Sequence, residues 1–140
     1  MKTILFISLL FFLNMINAQS IEGVWKTIDD ETGEPKSHVQ IMKKGDSYVG
    51  KVVKLLPAAT TSVCDECPGD KKGKPIEGMI ILEDLKPYRD YYSYGKILDP
   101  ASGKEYKCNV SLKESDLLEV RGYIGISLIG RTQEWFRVKS

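Results

Sequence analysis

The sequence predicts an all-β fold, an antiparallel up-and-down barrel of about eight strands. Three observations carry this expectation. Short segments rich in β-branched and aromatic residues recur from residue 21 to the C-terminus, several with alternating apolar and polar side chains. Clusters of Gly, Pro, Asp and Ser separate most of them, and no segment between them has a strong helical period. A meander of that many strands has two edges to protect, and closing into a barrel removes both.

The first 18 residues stand outside this pattern. MKTILFISLLFFLNMINA carries Lys2, then an apolar run from Ile4 to Ile16 broken by Ser8 and Asn14, then small residues ending at Ala18. That order is the one of a secretory signal peptide, and the run is shorter than the roughly 20 residues a membrane helix needs. The expectation is an exported, periplasmic or secreted protein without an integral membrane anchor. Cleavage near Ala18 leaves residues 19–140, the size of a single domain. No cysteine near that point would accept a lipid.

The mature chain then reads in order. Ile21 to Ile28 is a first strand, and DDETGEPK after it is a turn cluster. Ser37 to Lys43 and Tyr48 to Leu56 form a hairpin around KKGDS, where Gly45 and Asp46 supply the turn chemistry. From Pro57 to about Pro75 the periodicity stops, as expected of a lid, a binding loop or a mobile segment. Strand character returns at Ile76 to Leu82 and again at about Tyr91 to Leu98. DPASG, Asp99 to Gly103, is a tight turn. The next strand places Tyr106, Cys108, Val110 and Leu112 on one face, with Glu105, Lys107, Asn109 and Ser111 on the other, so Cys108 points at the core. Leu117 to Ile124 and Ile126 to Val138 complete the set.

Charge limits the partners. The chain has 20 basic and 19 acidic residues, and loss of Lys2 brings the net to about zero with both signs interspersed. Nucleic-acid binding needs a concentrated basic face, which this chain lacks, so no nucleic-acid partner is expected. The mature protein is expected to be a monomer.

Three cysteines raise a choice. Cys64 and Cys67 form a C-x-x-C in the long loop, and Cys108 is the third. With His38 they make a nominal Cys3His zinc set, yet His38 is distant in sequence, Cys108 faces inward and no second C-x-x-C follows, so no metal is expected. A thioredoxin-like pair sits at a helix N-terminus, whereas Pro68-Gly69-Asp70 follow here. In an oxidising compartment thiols pair. The leading reading is a structural disulfide, either Cys64 with Cys67, leaving Cys108 free, or one loop cysteine with Cys108.

Other constellations carry less. Asp29, Asp30 and Glu31 are normal residues for a turn, and Ser37 and His38, adjacent on a strand, point to opposite faces. With no G-x-S-x-G, no second histidine and no paired groups at catalytic spacing, no catalytic residues and no cofactor are expected. Asn109-Val110-Ser111 matches a glycosylation acceptor inside a strand and is taken as chance. Tyr91, Tyr94 and Tyr123 are candidates to rim a ligand-binding mouth, because tyrosine offers an apolar ring and a polar tip.

Gly23-Val24-Trp25 on the first strand and Gly130-Arg131-Thr132-Gln133-Glu134-Trp135 on the last resemble the calycin pattern of lipocalins. That resemblance implies that Trp25 plugs the closed end of the barrel, with Arg131 or Arg137 over its ring as a cation–π partner. The runs GVWKTIDDETGEPKS, GKVVKLLP, CDECPG, GKPIEGM, GKILDPASGKEYKC and VRGYIGISLIGRTQEW are similar, over essentially the whole mature chain, to the exported bacterial family known as domain of unknown function 2147. The family implies a lipocalin-like barrel and carries no established activity. Barrels of about eight strands are filled by side chains or hold one small ligand. The expectation is a small, largely apolar ligand in the barrel mouth, with the 57–75 loop as lid or rim. The alternative is a packed, non-catalytic interaction module of the envelope or of stress responses.

Overall fold

The alternation read in the sequence closes into a barrel. The computed structural model describes residues 19–126 and 130–139, so the predicted signal segment lies outside the described residues. The strands are β1 (Gly23–Ile28), β2 (Pro35–Lys44), β3 (Ser47–Leu55), β4 (Val63–Cys64), β5 (Lys74–Pro75), β6 (Ile80–Tyr88), β7 (Tyr91–Asp99), β8 (Lys104–Glu114), β9 (Leu117–Tyr123) and β10 (Gly130–Arg137). Eight of them form a closed antiparallel barrel in the order β1-β10-β9-β8-β7-β6-β3-β2, while β4 and β5 pair as a small ladder within the long connection. The one described helix is a single 3-10 turn, Gly69–Lys71, and no described helix is long and apolar enough to cross a membrane.

The largest boundary differences from the sequence reading fall on two strands. The strand expected from Ile76 begins at Ile80 and continues to Tyr88. Residues 76–79 instead make a turn in which the Met79 N–H donates to the Ile76 carbonyl, and Gly78 has a φ of 91°. That turn still buries Ile76 and Met79, which is why its apolar run imitates a strand. The last strand begins at Gly130 rather than Ile126, and residues 124–126 form bends with Ile124 and Ile126 exposed.

Inward positions fill one end of the barrel. Trp25, Val39, Ile41, Leu82, Leu85, Cys108, Val110 and Leu118 are all buried to 1% exposure or less. Close approach needs glycine at two of the inward positions: a Cβ on Gly50 would lie 2.9 Å from Leu82 Cβ, and one on Gly95 2.9 Å from Leu85 Cδ1. The space is taken by the leucines instead, as close-packed interiors require.

The plug is held by its neighbours. Trp25 Nε1 donates to the Ile21 carbonyl at 2.8 Å, and the Arg137 guanidinium lies over the Trp25 ring at 4.3 Å from its centroid. The same guanidinium donates to the carbonyls of Ser20, Glu22 and Ser115 at 2.8–2.9 Å. Gly23 makes room for it: a Cβ there would fall 2.7 Å from an Arg137 nitrogen, and its φ of 133° is one that side chains disfavour. The G-x-W motif thus has a physical reason in Arg137.

Candidate functional site

The connections β1–β2, β3–β6, β7–β8 and β9–β10 gather at the other end, and there the interior is open. A cavity of about 630 Å3 enters the barrel between them, within the 300–1,000 Å3 usual for small-molecule sites. Its walls come from five of the strands: Val52 and Leu55 on β3, Ile81 on β6, Ile97 and Leu98 on β7, Tyr106 on β8 and Val120 on β9. Trp135 closes its inner end, fixed by Nε1 donating to Gln133 Oε1 at 3.3 Å.

Polar groups in this wall are few and paired. Thr27 and Ser37, 7% and 8% exposed, share a hydroxyl–hydroxyl hydrogen bond of 2.7 Å across β1 and β2. Both line the cavity. Nearer the rim, Asp30 Oδ2 accepts from Arg131 at 2.7 Å and from Gln133 Nε2 at 2.8 Å. These contacts bridge a gap, because the β1–β10 register pairs just Trp25 with Arg137 and Lys26 with Phe136. Towards the mouth the first and last strands are joined by side chains.

The acidic turn is organised around Asp29. Its Oδ1 accepts from the backbone N–H groups of Thr32 and Glu31 and from the Thr32 hydroxyl, and Lys36 lies 3.9 Å from Oδ2. The Thr32 N–H above all holds this carboxyl below its ordinary range, with the Glu31 N–H and the Lys36 charge acting the same way.

The long connection caps the mouth from one side. Cys64 and Cys67 are joined to each other by a disulfide, and both are buried. A Cβ on Gly103, in the β7–β8 turn, would fall on the Glu66 carbonyl, so that turn packs directly against the disulfide loop. Ala59, Thr60, Thr61 and Ile76 of the same connection reach the cavity.

The other sequence candidates fall in different places. Tyr123 lines the cavity. Tyr91 and Tyr94 do not join it: they lie at the β6–β7 hairpin, where both make edge-on contacts with Tyr88. Successive hairpins of a meander alternate between ends, which puts the start of β7 at the closed end and its finish at the mouth. Tyr94, 63% exposed with a φ of 64°, sits at an irregularity in the β7–β8 pairing. Arg131 is at the mouth with Asp30, and the guanidinium over Trp25 is that of Arg137. Cys108 is a free thiol buried in the core, and burial pushes its pKa up to about 12, which keeps it protonated and unreactive. Ser37 faces the lumen, while His38 pairs with Lys26 and Lys54 on the neighbouring strands. Burial lowers the His38 pKa, and the two lysine charges add to this. Among the described residues no group of three or more His, Cys, Asp or Glu side chains is placed to hold a metal ion.

The Thr27–Ser37 pair was not singled out from the sequence, although a signal for it existed. Thr27 continues the inward phase of Trp25, and Ser37 that of Val39 and Ile41. A polar residue in the inward phase marks a polar spot in a lumen. No local signal joins Asp30 to Arg131 and Gln133, more than 100 residues away.

A search of curated protein sequences returned no match. Among solved structures, protein HP1028 of the human pathogen Helicobacter pylori, described as belonging to the lipocalin family, superposes with a TM-score of 0.75. The two are 18% identical, and the match covers 86% of this chain and 84% of that one, a likeness of fold. The model of a bacterial family described as "Uncharacterized protein conserved in bacteria (DUF2147)" matches residues 23–137, the whole barrel from the first strand to the last, and the chain belongs to that family.

Proposed function

We propose that this protein is exported and binds a small, largely apolar ligand in the open end of its barrel. The observation that carries the reading is the contrast inside one closed sheet: packed to Trp135 from below, and open above it as a cavity of about 630 Å3 with largely apolar walls. Such a cavity excludes neither size nor shape of ligand beyond its volume, yet its walls reward apolar surface by roughly 25 cal/mol per Å2 removed from water. The disulfide of Cys64 and Cys67 suits an oxidising compartment outside the cytosol.

The test is native mass spectrometry of the protein recovered from the exported fraction of a bacterial host, repeated after denaturation. The expected result is a chain beginning at Gln19, two hydrogens lighter than its fully reduced mass, with an organic adduct that denaturation removes. Ile97→Trp, which places a large side chain in the cavity, should abolish the adduct while far-UV circular dichroism stays unchanged. A bare wild-type chain that also fails to bind added lipids and hydrophobic small molecules would overturn the reading in favour of a packed interaction module.

A further inference from the structure

The charges around the mouth bear on which ligands enter. Six charged side chains among the described residues border the cavity: Asp29, Asp30, Glu31 and Asp99 against Lys36 and Arg131. Four carboxylates against two cations leave a net charge of −2. Both cations are already committed, Lys36 beside Asp29 and Arg131 on Asp30. Asp99 accepts from the Ala101 N–H and the Ser102 hydroxyl, which hold it in its turn at the rim. Glu31 is exposed in the β1–β2 turn. Below this rim the named wall residues, from Val52 to Val120, carry no charge.

An amphiphile whose tail occupies the largely apolar lumen has its head group at this rim. There an anionic head meets a net negative field with no free cation among the described lining residues to receive it. A cationic head meets two uncompensated carboxylates, and a neutral head meets hydrogen-bonding groups alone. Low-dielectric walls focus such a field across the opening. Resting on the binding reading above, we propose that the barrel accepts cationic and neutral amphiphiles and discriminates against anionic ones such as carboxylates with long alkyl chains.

Three probes with one tail test this: decyltrimethylammonium, decanol and decanoate, each titrated into the mature protein by calorimetry below its aggregation threshold. At about 20 mM salt the ammonium should bind roughly tenfold more tightly than decanoate, with decanol between them, and the gap should shrink at about 500 mM salt as the field is screened. Glu31→Lys brings the rim to neutrality and should narrow the gap to within about threefold. Asp30→Asn, which releases Arg131, should strengthen decanoate binding specifically, and thermal melts establish that either variant is folded. Decanoate binding as tightly as the ammonium, or a gap indifferent to both salt and Glu31→Lys, would overturn the charge selection while leaving the cavity as a binding site. Failure of all three probes to bind would overturn the binding reading itself, and this proposal with it.

Discussion

The two ends of the barrel are built from the same strands and differ in what those strands carry. At the closed end the inward phase is Trp25, Ile41, Leu82 and Leu85, with Gly50 and Gly95 clearing room for the leucines. At the open end the same phase becomes Thr27, Ser37, Gly122 and Gln133, and the space between them stays empty. One end therefore draws its stability from burial and the other leaves that contribution unmade. Binding sites are drawn from such regions, since a cavity is packing energy withheld until a ligand supplies it.

Substitutions should separate the ends by magnitude. The largest effect is expected for Trp25→Ala, which opens a void at a fully buried plug; loss of about 3–5 kcal/mol is expected in a urea titration. An equal or greater loss at Ile97, in the cavity wall, would break the comparison. Next comes Arg137→Ala, which strips three carbonyls of their guanidinium donor and bares the Trp25 ring. About 2–3 kcal/mol is expected, and Arg137→Lys should restore little of it, since an ammonium lacks the planar fork that reaches three acceptors at once. A full rescue by lysine would reduce the arrangement to simple charge.

At the mouth, the double change Cys64→Ser and Cys67→Ser should cost at most about 2 kcal/mol, because the ring it opens is short and constrains the unfolded chain little. Its sharper signature is expected in ligand exchange, because the loop packs on the β7–β8 turn through Gly103. Arg131→Ala should leave the urea midpoint unchanged within error, as its ion pair with Asp30 is open to solvent. A clear drop there would show that the side-chain bridge between β1 and β10 holds the barrel shut.

The barrel was legible in the sequence because its signals are local. Alternation fixes which side chains face inward, turn residues fix where strands reverse, and the hairpin order follows. The phase of Tyr106, Cys108, Val110 and Leu112 survives in the burial of Cys108 and Val110. The apolar run at Ile76 misled because a buried turn and a buried strand need the same residues. The mouth was harder. Tyr91 and Tyr94 looked like rim residues by type, but which end a residue occupies depends on counting hairpins along the whole meander. The Asp30–Arg131–Gln133 cluster depends on where the chain's two ends meet, and no short window contains that information.

That meeting has a kinetic consequence. Arg137 reaches back 115 positions to the Glu22 carbonyl, and β10 is the strand that closes the barrel. Until β10 is made, β1 and β9 are free strand edges, and the core residue Trp135 is still to come. Contacts of such high sequence separation make closure a late and slow event. The edges of β1 and β9 therefore stay open to chaperones until β10 pairs with both.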